Sequence, residues 1–376
     1  MKVAFNAVAL LSPKTGIGRY VWNLATQLQQ MPALEPCFFH GLGWSMQCQA
    51  PMAESLREVL PKLRSRLPWS YEIRRWIQSL TFKVGARNKG LQLYHEPNHL
   101  LLPFEGPTVL TVHDLSWIRY PAMHPVERVR AMDKHFENSL RRATRILTDS
   151  EFVKQELVDV FGMRPESIHP VHLGVEALFR PLDSAQTAQV LQQFGLMHGQ
   201  YLLAVGTLEP RKNLGVALRA FMALPPARRK QCPLVLVGMR GWHTSALERQ
   251  LAPLIRNGEV RQLGYLSRAH LAVVTAGACA LVYPSVYEGF GLPPLEAMAC
   301  RVPVIASNSA SIPEVVGSSG ILIDPQDEVH LTQAMLTMIE QPEVRDALAE
   351  QALQRSHAFS WNRCVRETVA VYRAVI

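Results

Sequence analysis

Two glutamates in the second half of the chain have the spacing of a polar-ligand site. Glu288 lies in the glycine-flanked loop EGFG, and Glu296 follows eight residues later on the opening turn of a predicted helix. Two prolines before Glu296 suit that turn, because a proline there loses no helical hydrogen bond. Carboxylates above the carboxyl end of a parallel strand can hold the hydroxyl groups of a ligand. On the residues alone, two solvated glutamates at a loop-to-helix junction remain an alternative.

An adjacent arginine and lysine, Arg211 and Lys212, follow another predicted strand in the loop VGTLEPRKN (205–213). Arginine can bind phosphate oxygens bidentately, lysine adds a compact charge, and the helix that follows contributes its dipole. We therefore predict a diphosphate site at this loop, with surface salt bridging as the alternative. The loop is not a Walker A motif, because the pattern G-x-x-x-x-G-K-[ST] is absent.

A histidine and a glycine turn follow apolar strands in the first half. His113, next to Asp114, stands at a strand end, where a neighbouring carboxylate would set the tautomer of its ring. A lone histidine is more often structural, and that alternative stays open. The turn GIGR (16–19) opens a helix and suits an anion or a close-approaching ligand. It lacks the third glycine of a dinucleotide fingerprint, which argues against that kind of site.

The run HEPNH (95–99) matches the zinc-protease pattern H-E-x-x-H. That pattern requires both histidines on one continuous helix. Pro97 would clash with the preceding helical turn and pushes the residue before it out of helical geometry. We therefore predict a polar strand end that lines a cleft, and no metal site.

Strands and helices alternate along the whole chain, which predicts an α/β protein with doubly wound parallel sheets. The pattern pauses near residue 180 and then starts again with YLLAVG (201–206). The length of 376 residues also fits two domains. We predict Rossmann-like domains over residues 1–180 and 181–360, with a terminal helix over residues 361–376.

Composition limits the classes of protein to which the chain can belong. The six cysteines lie far apart without a C-x-x-C pair, so they predict reduced thiols and neither a disulfide framework nor a zinc site. No apolar run is long enough to span a bilayer, and no signal peptide precedes the first strand. We therefore expect a cytoplasmic protein.

The formal net charge of +8 predicts an anionic partner. Basic and apolar residues alternate over residues 57–89, and between Trp69 and Phe82 the apolar ones recur at helical spacing, with Arg74, Arg75 and Trp76 among them. A basic amphipathic helix of this kind can lie on an anionic membrane surface. A solvated helix packed on its own domain is the alternative. Nucleic acid is disfavoured, because no recognition motif accompanies the charge.

Four of these motifs together resemble retaining glycosyltransferase family 4: GIGR (16–19), HD (113–114), VGTLEPRKN (205–213) and EGFGLPPLE (288–296). Their order agrees with the family from the first strand to the last helix. The resemblance implies the GT-B architecture, in which two Rossmann-like domains face a cleft and the terminal helix crosses back onto the first domain.

The resemblance also implies a role for each motif. Arg211 and Lys212 would hold the diphosphate of a sugar-nucleotide donor and offset charge on the leaving group. Glu296 would bind the ribose, Glu288 the transferred sugar, and His113 the sugar near the reacting centre. The implied catalytic residues are His113, Glu288, Arg211 and Lys212. The implied donor-binding residues are Gly16, Gly18, Gly206, Glu209, Arg211, Lys212, Glu288, Gly289, Phe290, Gly291, Leu292 and Glu296. No cofactor and no metal are expected.

The segments NAVALLSPKTGIGRY (6–20) and VLTVHDLSWIRYP (109–121) look like bacterial mannosyl- or rhamnosyltransferases of lipopolysaccharide O-antigen assembly. That likeness implies GDP-mannose or GDP-rhamnose as donor and a lipid-linked saccharide as acceptor, at the inner face of the cytoplasmic membrane. Residues assigned to a membrane or acceptor surface are Arg74, Arg75, Trp76, His95 and Asn98. A glycoside hydrolase using Glu288 and Glu296, or a non-catalytic nucleotide-sugar binding protein, are the competing hypotheses.

Overall fold

The computed structural model describes residues 1–11, 16–48, 70–87 and 89–376. Residues 12–15, which precede the GIGR turn, and residues 57–69 of the basic stretch lie outside the described residues. Contacts group the chain into two compact units. The first unit comprises Met1–Leu115, Arg130–Leu173 and Trp361–Ile376, and the second comprises Ser116–Val129 and Gly174–Ser360. The chain thus passes from the first unit to the second after Leu173. The sequence predicts this boundary near residue 180.

The described part of the first unit contains a seven-stranded sheet with the order β3-β2-β1-β4-β5-β6-β7. All neighbouring strands are parallel except β2 and β3, which are antiparallel. The strands are β1 Lys2–Asn6, β2 Glu35–Phe39, β3 Trp44–Ser45, β4 Leu93–Glu96, β5 Thr108–Val112, β6 Arg145–Thr148 and β7 Ile168–Pro170.

Strand β1 ends earlier than the apolar run predicts. The Asn6 side-chain oxygen accepts a hydrogen bond from the Val8 amide at 3.0 Å, and this local turn leads the chain out of the sheet into the 3-10 helix Val8–Leu11. The apolar run over residues 2–10 predicts a strand of that length, and β1 is four residues shorter because it stops at Asn6. The helices grouped wholly or mainly with this unit are Gly16–Leu28, Ser70–Arg87, Val126–Arg142, Glu151–Phe161 and Trp361–Arg373, with the 3-10 helix Pro165–Ser167.

The second unit contains a six-stranded sheet in its described residues, with the order β10-β9-β8-β11-β12-β13 and every neighbouring pair parallel. The strands are β8 Leu202–Val205, β9 Leu234–Val237, β10 Val260–Gly264, β11 Ala280–Tyr283, β12 Val304–Ser307 and β13 Ile321–Ile323. This order reverses between β8 and β11, and ligands of such sheets bind at the carboxyl ends of the strands at the reversal point. Two units with doubly wound parallel sheets confirm the predicted fold class.

The helix Ser184–Gln193 of the second unit begins with a side-chain cap. Asp183 accepts a hydrogen bond from the Gln186 amide at 2.8 Å, and the Gln186 side chain bonds back to the Asp183 amide at 3.0 Å, which completes a capping box. Helices of this unit are Ser116–Arg119, Ser184–Gln193, Leu214–Ala223, Pro226–Gln231, Ser245–Arg256, Arg268–Ala276, Leu292–Ala299, Ile312–Val316, Glu328–Glu340 and Pro342–Ser356, with 3-10 helices at Pro121–Met123 and Pro210–Lys212. In the described parts of both units, every helix is too short or too polar to cross a bilayer.

Candidate functional site

An ion-pair cluster lies at the reversal point of the second sheet. Arg211 and Lys212 come from the loop after β8, and Glu288 comes from the loop after β11. One oxygen of Glu288 lies 2.7 Å from Arg211 Nη1, and the other lies 2.6 Å from Lys212 Nζ. Arg211 Nη2 lies 2.7 Å from a carboxylate oxygen of Glu209. The sheet order therefore brings together two motifs that stand far apart in the sequence.

The loop after β8 is fixed by backbone geometry. Gly238, directly after β9, lies against the backbone of Gly206. A Cβ on Gly238 would lie 1.8 Å from the Gly206 carbonyl oxygen, so only glycine fits there. Asn213 adopts the left-handed conformation, with φ of 56°, which asparagine tolerates better than most residues. Its side-chain amide donates to the carbonyl oxygens of Pro284 at 3.0 Å and Pro325 at 2.6 Å. These bonds tie the Arg-Lys loop to the loops after β11 and β13.

The loop that carries Glu288 is held from the side of β12. The Ser311 hydroxyl lies 2.9 Å from each of the carbonyl oxygens of Glu288 and Phe290, to which it can donate. Gly291 has φ of 119° and precedes the helix Leu292–Ala299, with its two prolines in the first turn. The predicted loop-to-helix junction is therefore a rigid one, and Glu288 is buried in it.

The charges of the cluster balance within the protein. Burial raises the pKa of Glu288, but Arg211 and Lys212 outweigh it and hold that pKa at about 2, so the carboxylate is ionised at neutral pH. Burial lowers the pKa of Lys212, and Glu288 opposes that effect. The Tyr283 hydroxyl also contacts this network, at 2.8 Å from Glu288 Oε1 and 3.0 Å from Lys212 Nζ. Two cations face two carboxylates, so an anionic ligand must compete with Glu209 or Glu288 for them.

Glu296 belongs to a separate network from Glu288. Its carboxylate lies 2.8 Å from Arg268 Nη2, and the same nitrogen lies 2.6 Å from Glu176. Arg268 also covers the ring of Phe179, with 4.2 Å between the guanidinium carbon and the ring centroid. Sequence reasoning missed Arg268. The available signal was Ser267, whose side chain caps the helix Arg268–Ala276 directly after the end of β10.

His113 is enclosed in the first unit. Its Nδ1 donates to Asp149 and its Nε2 to the Pro97 carbonyl oxygen, each at 2.8 Å. An ionised carboxylate and a carbonyl only accept hydrogen bonds, so this geometry fits a doubly protonated ring. Burial lowers the pKa of His113, but Asp149 and the two hydrogen bonds outweigh it and raise that pKa above its usual value. The carboxylate bonded to the ring is thus that of Asp149, directly after β6. The sequence suggests the adjacent Asp114 for this role.

His95 is a core residue, and its assignment to an acceptor or membrane surface is wrong. The side chain is fully buried, and its ring nitrogens bond to the hydroxyls of Tyr372 and Thr111. Burial and the nearby His113 lower the pKa of His95 to about 3. Asn98 is half-buried. The run HEPNH leaves strand β4 at Glu96 without forming a helix, and no group of three possible metal ligands occurs among the described residues.

The glycine turn begins a helix, as the sequence predicts. Gly16 is the first residue of the helix Gly16–Leu28, and no atom of the described residues lies within 4 Å of the position that a Cβ on Gly16 would take. Gly18 is buried in the same helix. Both glycines belong to the first unit, whereas the ion-pair cluster belongs to the second.

The helix Ser70–Arg87 exposes an apolar stripe. Its members recur at helical spacing and include Trp76, which is 63% exposed; they are Ile73, Trp76, Ile77, Leu80 and Val84. Arg74 is exposed beside them, while Arg75 donates to the Leu101 carbonyl oxygen at 3.0 Å. Phe82 points the other way and is buried against Phe39. The predicted amphipathic helix is present, and its apolar face is exposed among the residues that the structure describes.

Comparisons with known proteins agree with this geometry. Residues 14–177 match the family "Glycosyltransferase Family 4", and residues 192–355 match "Glycosyl transferases group 1". The chain is 35% identical to O-antigen chain mannosyltransferase B of Escherichia coli, over 99% of this chain and 100% of the relative. Among solved structures, Anabaena HepE in complex with UDP-glucose superposes with a TM-score of 0.76 at 18% identity, over 100% of both chains. WaaG, a glycosyltransferase involved in lipopolysaccharide biosynthesis, gives a TM-score of 0.75 at 16% identity, over 98% of this chain and 99% of WaaG.

Proposed function

The chain belongs to glycosyltransferase family 4 and has its GT-B fold, and on that premise we propose the reaction that it catalyses. It moves a hexose, mannose or D-rhamnose, from a GDP-linked donor to a lipid-linked saccharide in O-antigen synthesis, with retention of the anomeric configuration. The observation that carries the proposal is the cluster of Arg211, Lys212 and Glu288 at the reversal point of the second sheet. The name of the E. coli relative supports mannose and the O-antigen pathway.

The cationic pair explains how the donor is activated. The bond between C1 of the sugar and the β-phosphate oxygen breaks, and a bond from the acceptor hydroxyl oxygen to C1 forms on the same face. The acceptor proton passes to the departing phosphate oxygen. Arg211 and Lys212 stabilise the charge that grows on that phosphate, which is an electrostatic role typically worth several kcal/mol. We propose that they replace a metal ion, so that chelation leaves the activity unchanged.

The carboxylates hold the donor by its hydroxyl groups. Glu288 is ionised and can accept hydrogen bonds from the transferred sugar, and Glu296 can accept them from the ribose. Backbone amides from Gly289 to Leu292 add donors at the same loop. The roles of His113, Gly16 and Gly18 at donor or acceptor rest on the family resemblance and are part of the proposal.

The same network argues against a glycoside hydrolase that uses Glu288 and Glu296. Such an enzyme needs a carboxylic acid with a raised pKa to protonate its leaving group. Arg211 and Lys212 instead hold the pKa of Glu288 at about 2, so Glu288 cannot be that acid, and Glu296 lies in a separate ion-pair network with Arg268. The hydrolase also leaves the arginine–lysine loop without a role.

A transfer assay tests the proposed function. The protein is incubated with GDP-, UDP-, ADP- and dTDP-linked hexoses and a lipid-linked saccharide, and the products are analysed by mass spectrometry and by NMR of the anomeric proton. We expect transfer from a GDP-sugar with retention, unchanged by EDTA. Hydrolysis without transfer would favour the hydrolase. Nucleotide-sugar binding without any turnover would favour the non-catalytic binding protein.

We also propose that the apolar stripe of the helix Ser70–Arg87 contacts an anionic membrane surface, where a lipid-linked acceptor is held. Exposed aliphatic and tryptophan side chains beside Arg74 support this, because such a face can bury apolar groups among lipid headgroups. Flotation with vesicles that contain anionic lipid tests it. The variant Trp76→Ser with Leu80→Ser should lose binding, and Val329→Ser, an exposed apolar residue of the second unit, should not. An intact protein that fails to float would exclude the contact.

A further inference from the structure

Arg268 contacts the carboxylate that is proposed to hold the ribose. It opens the helix Arg268–Ala276 at the carboxyl end of β10, and its guanidinium lies between Glu296 and Glu176. Arg268 Nη2 lies within hydrogen-bond distance of both carboxylates, and Nε lies 3.1 Å from Glu176. The guanidinium also lies over the ring of Phe179, which restricts its orientation. The side chain is therefore held in one orientation by three neighbours.

One nitrogen of this guanidinium has an unused donor. Arg268 Nη1 is buried, and no hydrogen-bond partner for it exists within the residues that the structure describes. A buried charged donor without an acceptor is costly, and such groups mark places where a ligand or a bound water completes the hydrogen bonding. Nη2 already contacts the carboxylates of Glu176 and Glu296, and an oxygen of a bound ligand can supply the acceptor for Nη1.

We propose that Arg268 and Glu296 together read a hydroxyl group of the donor ribose. A hydroxyl group both donates and accepts a hydrogen bond. It can donate to the Glu296 carboxylate while it accepts from Arg268 Nη1, and this satisfies both protein groups with one ligand oxygen. Arg268 also positions Glu296 through Nη2. The inference rests on the proposed function, because it assigns a new residue to the donor site of that function.

A purely structural role for Arg268 makes a different prediction. If Arg268 only links Glu176 and Glu296 within the second unit, its loss weakens the binding of every nucleotide by the same factor. If Arg268 bonds to a ribose hydroxyl, its loss weakens the binding of nucleotides that carry the hydroxyl. The binding of nucleotides that lack the hydroxyl stays nearly unchanged. The ratio of two dissociation constants therefore separates the two roles.

Calorimetric titration of the full chain with GDP and with 2′,3′-dideoxy-GDP measures that ratio. In the unaltered protein we expect GDP to bind about 10- to 100-fold more tightly than the dideoxy form, since unpaired buried groups discriminate strongly against a missing hydroxyl. The ratio should fall towards one in Glu296→Gln and in Arg268→Gln. Arg268→Lys should recover part of it, because lysine keeps a donor but not the fixed fork. Glu176→Gln, which removes the partner on the other side, should keep most of it.

Two outcomes overturn the inference in distinguishable ways. A ratio that collapses in Glu296→Gln but is unchanged in a folded Arg268→Gln variant excludes Arg268 from ribose reading and leaves the proposed function standing. An unaltered protein that binds neither GDP nor UDP removes the proposed donor site itself, and the inference falls with it. Melting temperatures of all variants show whether a loss reflects unfolding, and the Arg268→Lys variant keeps the test decisive if Arg268→Gln does not fold.

Discussion

Each unit carries a buried charged cluster at the carboxyl end of its parallel sheet, and the two clusters differ in what they leave for a ligand. In the second unit, the Arg211 and Lys212 side chains are each 13% exposed and both meet Glu288. In the first unit, the side chains of His113 and Asp149 are 7% and 6% exposed, and both ring nitrogens of His113 have acceptors inside the unit. Position at a strand end and partners inside the unit are therefore common to both clusters, whereas the Arg211 and Lys212 side chains are more exposed than those of His113 and Asp149.

The difference shows why a charged strand end is not by itself a binding site. In the second unit, a diphosphate that replaces a carboxylate at Arg211 or Lys212 leaves these cations with an anionic partner, and Glu288 keeps the Tyr283 hydroxyl as a donor at 2.8 Å. In the first unit, a ligand that took one nitrogen of His113 would leave a buried carboxylate or carbonyl without its donor, which is costly. We infer that the His113 side chain stabilises the first unit through its bonds to Asp149 and the Pro97 carbonyl oxygen.

The largest effect that would sharpen this contrast is expected for Lys212→Ala. Its loss removes a cation that is proposed to stabilise the leaving diphosphate, so kcat/KM should fall by about 100- to 1,000-fold. Steady-state transfer assays measure it. Lys230→Ala, an exposed lysine of the same unit, is the matched control and should be unaffected. An active Lys212→Ala variant would show that this cluster does not take part in transfer.

A second effect concerns the stability of the first unit. Asp149→Asn leaves the buried His113 without its anionic partner and should lower the free energy of unfolding by about 3 kcal/mol. The pKa of His113 is raised in the folded protein, so its stabilising contribution is complete below the unfolded pKa of about 6.5. It is lost as the pH rises through the folded pKa.

Urea unfolding between about pH 6 and about pH 9 checks this, because the range begins below the unfolded pKa of histidine. The difference between the unaltered protein and Asp149→Asn should shrink as the pH rises. Asp133→Asn, which removes an exposed carboxylate of the same unit, should show neither the loss nor the pH dependence. A difference that stays constant with pH would mean that the ring is neutral in the folded protein.

The smallest effect is expected for Glu209→Gln. Glu209 occupies Arg211 Nη2, at which a donor diphosphate is proposed to bind, so neutralising Glu209 should tighten GDP binding about three- to tenfold at low salt, and less at high salt. Calorimetry at two salt concentrations measures the change. Glu248→Gln, which removes the partner of the exposed Arg240, should leave GDP binding as it was. Weaker binding of GDP by Glu209→Gln would show that Glu209 positions Arg211 and does not compete for it.

Much of the fold follows from local sequence. Apolar runs bounded by glycine and proline predict the principal strands within a few residues, and the positions of the Arg-Lys loop and the EGFG loop follow from them. The two-residue strand Trp44–Ser45 escapes this reasoning, because its pairing with β2 depends on a neighbour and not on its own pattern.

The partners within each site were harder to predict than the site residues. Arg211 meets Glu288 across 77 positions of sequence, and His113 meets Asp149 across 36. Arg268 meets Glu296 across 28 positions. Sheet order decides which strand ends become neighbours, and single-sequence patterns carry little information on that order. His95 shows the same limit. A histidine that lines a cleft at a strand end and a histidine buried in the core give the same sequence pattern, and only the packing of the folded chain distinguishes them.

The last helix has a consequence for the order in which the protein forms during synthesis. The hydroxyl of Tyr372, in Trp361–Arg373, bonds to His95 across 277 positions, and both groups are buried in the first unit. The ribosome therefore begins this unit first, yet the helix that fills its core is made after the whole of the second. Domains usually complete in the order of their synthesis. Here part of the apolar core of the first unit stays exposed until the last helix has been synthesised. Contacts between residues so far apart in the sequence also form slowly.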